Sequence, residues 1–155
     1  MKTEILKTCV LKFEKQVHDL ETAAKASASL ATDAEHRARS KYETFSLETS
    51  YLARGQAKRV AEMREVLSKL RVYKPKTFAK GEGVQMGALV RVEEQNGGQQ
   101  VYLLVPVGGG EEVMYEGENI QLVTLQSPIA QVLLGKKAGE SFTFAKRLFK
   151  IDVVL

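Results

Sequence analysis

Ser127-Pro-Ile-Ala-Gln-Val-Leu-Leu-Gly-Lys-Lys-Ala-Gly-Glu140 is the stretch on which the reading of this chain turns. Locally it spells a short capped helix and a basic loop. Ser127 has the side chain to accept hydrogen bonds from first-turn amides, and Pro128 falls where a helix has no amide partner to lose. Gly135 is placed to end the helix, and Gly139 to turn the chain toward a following strand.

Outward from this helix, apolar residues in the second half of the chain recur every two positions. Residues 88–94 and 99–105 read as strands around an Asn96-Gly97-Gly98 turn. Residues 120–125, 141–145 and 148–155 read as a third, fourth and fifth strand, with the helix between the third and fourth. A small, mostly antiparallel α+β domain is expected. Gly108-Gly109-Gly110 reads as a flexible loop and lacks the Lys-Ser/Thr ending of a phosphate-binding loop.

The first half has a different period. Leu6, Val10, Phe13, Val17, Leu20 and Ala24 alternate steps of four and three, the seam of a coiled coil, within a helix from Thr3 to about Ala38. A second helix is expected from about Lys41 to Tyr73, with Val60, Met63, Leu67 and Leu70 repeating the alternation. Two helices of about 30 residues give a rod on the order of 45 Å long. Folding back near residue 39 puts Phe45, Tyr51 and Leu52 opposite the alanine-rich end of the first helix, large against small. Ser40 is a cap for the second helix. Pro75 stops that helix, and Gly81 and Gly83 loosen the chain after it. The expected organisation is a coiled-coil hairpin over 1–74, a linker over 75–86 and a sheet domain over 87–155.

Composition narrows the function classes. Hydrophobic residues make up 44% and charged residues 27%, as in an ordinary folded chain, and no long apolar run suggests a membrane span. The first residues lack the apolar core of a secretory signal, so a cytoplasmic setting is expected. Cys9 is alone, which leaves no intramolecular disulfide, and with His18 and His36 it is too little for a zinc site. Residues 1–74 hold fifteen Lys/Arg against ten Asp/Glu, whereas residues 75–155 hold eight against nine. The helical half is therefore mildly basic, with signs interleaved as on a solvated face.

The 127–140 stretch closely resembles the signature of Gre-type bacterial transcription elongation factors, a Ser-Pro-x-(Ala/Gly) helix leading into Leu-x-Gly-Lys-x-x-Gly-(Asp/Glu). The order of hairpin, linker and sheet domain resembles GreA and GreB over most of the chain. The resemblance implies an FKBP-like C-terminal domain that docks at the rim of the RNA polymerase secondary channel, and a hairpin whose tip approaches the active centre. On that basis Ser127, Pro128, Lys136 and Lys137 are the expected polymerase-contacting residues, with core RNA polymerase as partner. Nucleic acid would be met indirectly, as no motif for direct sequence-specific DNA binding is present.

The tip departs from the family. Cleavage-competent members resemble one another in a tip reading Gly-Asp-Leu-x-Glu-Asn-Ala-Glu-Tyr, whose acids help hold a catalytic magnesium. In register with the second helix, the first two of those acids fall near Tyr42 and Phe45, neither of which supplies the oxygen ligands magnesium requires. Asp33, Glu35, Glu43 and Glu48 are the other candidate tip residues. Ser40 to Glu43 has the spacing of a capping box, which occupies Glu43. Arg37, Arg39 and Lys41 nearly cancel the local acids. The expectation is a channel-binding regulator rather than an enzyme, with weak or no transcript cleavage, no metal site and no firmly bound cofactor. Magnesium of the polymerase enters only if the tip acids take part. The alternatives are a cleavage factor with a displaced acidic pair and, in other classes, an FKBP-type prolyl isomerase or chaperone, or a coiled-coil adaptor.

Overall fold

The computed structural model describes residues 1–37 and 43–155, and side-chain surroundings for 1–29 and 51–155. Two helices, α1 (Lys2–Arg37) and α2 (Glu43–Val72), precede a sheet domain. The chain divides into two compact units, one of residues Val10–Ser68 and one of Met1–Cys9 with Lys69–Leu155.

In the helical unit the seam follows the expected alternation. Val10, Phe13, Val17, Leu20, Ala24 and Ser27 of α1 are its shielded positions, as are Ala53, Gln56, Val60, Met63 and Leu67 of α2. Steps of three and four keep one stripe of each helix facing its neighbour. Arg64 of α2 reaches Glu21 of α1, with Nη2 2.6 Å from the carboxylate, across an antiparallel hairpin. Tyr51 and Leu52 do not pack as expected, being 71% and 56% exposed. The stripe extended back from Val60 passes through Gln56 and Ala53, which leaves 51 and 52 on its outer flanks. The cap expected at Ser40 lies outside the described residues. The buried amide oxygen of Gln56 has no hydrogen-bond partner among the described residues, a polar interruption in an otherwise apolar stripe.

The second unit is built on a six-stranded sheet. Its strands are β1 (Leu89–Glu94), β2 (Gln99–Leu104), β3 (Glu112–Tyr115), β4 (Glu118–Val123), β5 (Ser141–Phe144) and β6 (Arg147–Val154), in spatial order β3-β4-β2-β1-β6-β5. The sheet is mostly antiparallel, as expected, with one parallel pair, β2 and β4, in which Val101 lies opposite Ile120. Parallel neighbours need a long connection. Here it contains β3, a strand not expected from the sequence, which folds back on β4 through a turn with positive φ at Glu116 and Gly117. The Gly108 loop is also held, since the Gly110 N–H donates to the Leu122 carbonyl at 2.8 Å.

Alternation sends Val90, Val92, Tyr102, Leu104, Val123, Phe142, Phe149 and Ile151 to one face. There they pack under α3 (Pro128–Leu133) with Ile129, Ala130 and Leu133. The Phe142 and Phe149 rings stack with centroids 5.4 Å apart. Val84, within the expected linker, is fully buried in this core, and Phe78 packs against it. The opposite face is buried too, through Leu89, Val101, Leu103, Val113, Ile120 and Leu122. Ile5, Leu6, Cys9 and Leu70 are buried in the same unit.

Gly55 sits in the interior of α2 with open space where a Cβ would be. Gly55→Ala is expected to stabilise the chain by about 1 kcal/mol, because alanine removes backbone entropy from the unfolded state. Leu67→Asp, which buries a charge in the seam, is expected to cost about 3 kcal/mol or more. Thermal melts followed by circular dichroism at the helical band check both, and equal midpoints for the two variants would contradict the seam.

Candidate functional site

The loop after α3 is shaped by its own sequence. Ser127 has extended backbone angles and caps α3 by accepting from the Ala130 N–H at 3.3 Å, while its hydroxyl donates to the Thr124 carbonyl at 2.8 Å. Pro128 follows at the first helical position and is exposed. At the other end, Leu134 has φ −51° and ψ 131° and Gly135 has φ 77°, closed by the Lys136 N–H donating to the Leu133 carbonyl at 3.0 Å. These are the angles of a type II turn, whose third position favours glycine.

A second turn follows at once. The Glu140 N–H donates to the Lys137 carbonyl at 3.1 Å across Gly139, whose φ is 90°. The Glu140 carboxylate accepts from the Lys137 N–H at 2.6 Å. This role of Glu140 was not anticipated, although its spacing of three from Lys137 is the usual one for a side chain that closes a turn. The Gly139 N–H then donates to the Ile151 carbonyl, and the Ile151 N–H to the Glu140 carbonyl, both at 2.8 Å, which anchors the loop to β6.

The loop is also held from below. The Val84 N–H donates to the Lys136 carbonyl, and the Gly135 N–H donates to the Val84 carbonyl, both at 2.8 Å. The two backbones meet so closely that a Cβ on Gly83 would lie 2.9 Å from the carbonyl carbon of Gly135, and closer still to its oxygen. No sequence signal marks this approach beyond the glycine itself.

Backbone anchoring leaves the lysine side chains unused. Among the described residues neither the Lys136 nor the Lys137 ammonium has a hydrogen bond or ion pair. Beside them Leu134 is 39% exposed. The loop thus presents two cations and an apolar side chain on a braced backbone. Ser127 and Pro128 stand at the opposite end of a helix about 9 Å long, so the structure does not gather the four expected contact residues at one point. Asp33 and Glu35 fall in α1, and Glu43, Phe45 and Glu48 in α2. Their side chains, and Tyr42 altogether, lie outside the described residues. Among the described residues no group of three or more His, Cys, Asp or Glu is placed to hold a metal.

Gly83→Ala is expected to lower stability by about 2 kcal/mol, because the added methyl meets backbone rather than a side chain that can move. Chemical denaturation with an unchanged m-value checks this, and a midpoint equal to the parent's would show that the strand pair gives way freely.

Three comparisons bear on what presents this loop. The family described as "Transcription elongation factor, GreA/GreB, C-term" matches residues 79–153, which include the whole sheet and the loop. The transcription elongation factor GreA of Sulfurovum sp. is 31% identical over 101 residues, 63% of this chain and 59% of that protein. The GreA of Polaromonas naphthalenivorans is 36% identical over 83 residues, 54% of this chain and 49% of that protein. The chain thus matches between half and three fifths of the length of these relatives. It also aligns with the crystal structure of GreA factor homolog 1 (Gfh1) of Thermus thermophilus over 94% of each chain, at 14% identity and a TM-score of 0.39, a likeness too loose to carry an argument. Over residues 79–153 the sheet domain is similar to the C-terminal domain of GreA/GreB transcription elongation factors.

Proposed function

We propose that this chain is a cytoplasmic RNA polymerase-binding factor that docks through the loop carrying Leu134, Lys136 and Lys137. It brings its helical hairpin into the secondary channel and so modulates elongation or initiation. The observation that carries this reading is the braced loop, whose turns consume its glycines and its glutamate and leave the lysines for a partner. It lies inside the segment that matches the family, and the relatives are named transcription elongation factors. Two cations around an apolar side chain suit an acidic surface with an apolar centre, where charge steers the encounter and burial holds it. No described helix is long and apolar enough to cross a membrane.

The reading extends to the tip by sequence alone. Tyr42 and Phe45 stand near the positions of the family's acids, and neither side chain supplies the carboxylate that a magnesium shell requires. No metal-dependent step is assigned to this chain for that reason. It acts by occupying the channel, and nucleic acid is met only within the polymerase complex.

Binding to core polymerase, measured at low salt in competition with an authentic GreA, tests the docking. Lys136→Glu with Lys137→Glu is expected to weaken it about tenfold, with a shallower salt dependence because two cations are lost. An unchanged affinity would remove the loop from the interface. In a backtracked elongation complex, little magnesium-dependent RNA shortening is expected. Robust shortening that disappears in Glu43→Ala or Glu48→Ala would establish a displaced acidic pair instead.

A further inference from the structure

Lys2 occupies the first position of α1, where the positive end of the helix dipole disfavours a cation. Its surroundings explain why a cation is stable there. The ammonium donates to the carbonyls of Lys76 and, at 3.2 Å, Gly87, and it stands 4.6 Å from the centre of the Phe78 ring. Two carbonyls and a ring face offset the dipole, and each interaction favours the charged form. Burial acts the other way and pushes the Lys2 pKa below the ordinary lysine range.

Those partners all belong to one segment. Residues 76–87 begin four residues after the end of α2 and reach the sheet at Gly87, whose N–H donates to the Leu104 carbonyl at 3.0 Å. Within the segment, Lys76 pairs with Glu82 at 2.8 Å, and the same carboxylate accepts from the Ala79 N–H at 2.8 Å. The Lys2 and Lys76 ammonium groups both stand over the Phe78 ring, at 4.6 and 5.2 Å from its centre, and Phe78 packs on the domain core. Three residues before Gly87, Val84 exchanges its two hydrogen bonds with Gly135 and Lys136. One short run of chain is therefore fastened to the start of α1 at one point and to the lysine loop at another.

We propose that residues 76–87 act as a strap between these two points, so that the Lys2 ammonium holds the order of the loop carrying Lys136 and Lys137. Lys2 is a positioning residue, acting on the loop through Gly87, Phe78 and Val84. This inference does not depend on what the loop binds. Strain or release at the start of α1 reaches the loop as a change in how often the Val84 pairing opens.

Amide hydrogen exchange on the full chain tests it. Lys2→Met keeps the apolar stem against Phe78 and removes every donor, whereas Lys2→Arg keeps a cation. In Lys2→Met the Val84 and Gly135 amides are expected to exchange about fivefold faster or more, the scale of losing a charge-assisted hydrogen bond. The sheet amides of Val105 and Leu122, whose N–H groups donate to the Val123 and Glu111 carbonyls, are expected to stay within about twofold of the parent. Lys2→Arg is expected to match the parent at all four. Unchanged exchange at Val84 and Gly135 in Lys2→Met would overturn the proposal. So would an equal rise at Val105 and Leu122, which would mean general loss of stability, or a rise in Lys2→Arg as large as in Lys2→Met.

Discussion

The approach of residues 83 and 84 to residues 135 and 136 is the constraint on which the C-terminal domain depends. Two hydrogen bonds of 2.8 Å cross it, and both backbones come together because Gly83 has no Cβ. The contact buries Val84 completely and turns the segment before the sheet into part of the core. It also fixes the far side of the type II turn at Gly135. A loop with this much backbone bonding has little backbone freedom left.

Much of this fold was legible in the sequence because local rules and global packing agree. Ser127, Pro128, Gly135 and Gly139 each announce a backbone state that the structure contains. The hairpin seam was legible for the same reason, since a 3.6-residue period has only one way to keep Val17, Val60 and Leu67 facing inward. The β1–β2 hairpin is present where Asn96-Gly97-Gly98 placed it, with Gly97 at φ 93°.

What was illegible is non-local. β3 is four residues long, begins with Glu112 and exposes Met114, so it carries too little alternation to read alone. Pairing with β4 makes it a strand. Tyr51 and Leu52 were placed inward by size, whereas the phase of the stripe set by Val60 leaves them outward. The expected linker was read from its proline and glycines, yet Phe78 and Val84 tie it to the core. In that segment glycine marks close approach as much as freedom, and composition alone does not separate the two. The same holds for the candidate site. Lys136 and Lys137 stood out by charge, but Glu140, Gly83 and Lys2 acquire their roles only from what the fold brings beside them.

The signature stretch divides into residues that build and residues that remain. Ser127 caps, Pro128 starts the helix, Ile129, Ala130 and Leu133 enter the core, Gly135 and Gly139 turn, and Glu140 closes the last turn. After that division Gln131, Leu134, Lys136, Lys137 and Ala138 are the side chains with no internal work visible in the structure, and of these Leu134 and the two lysines lie on the loop as its one large apolar group and its two cations. A family match carried by such a stretch therefore reports a scaffold and the loop it holds. Chemistry at the far end of the hairpin is a separate matter, because nothing in the capping, turns or core packing of the sheet domain constrains which side chains stand at positions 42 and 45. The two halves of this chain, with their different periods and charge balance, are accordingly built by separate local rules.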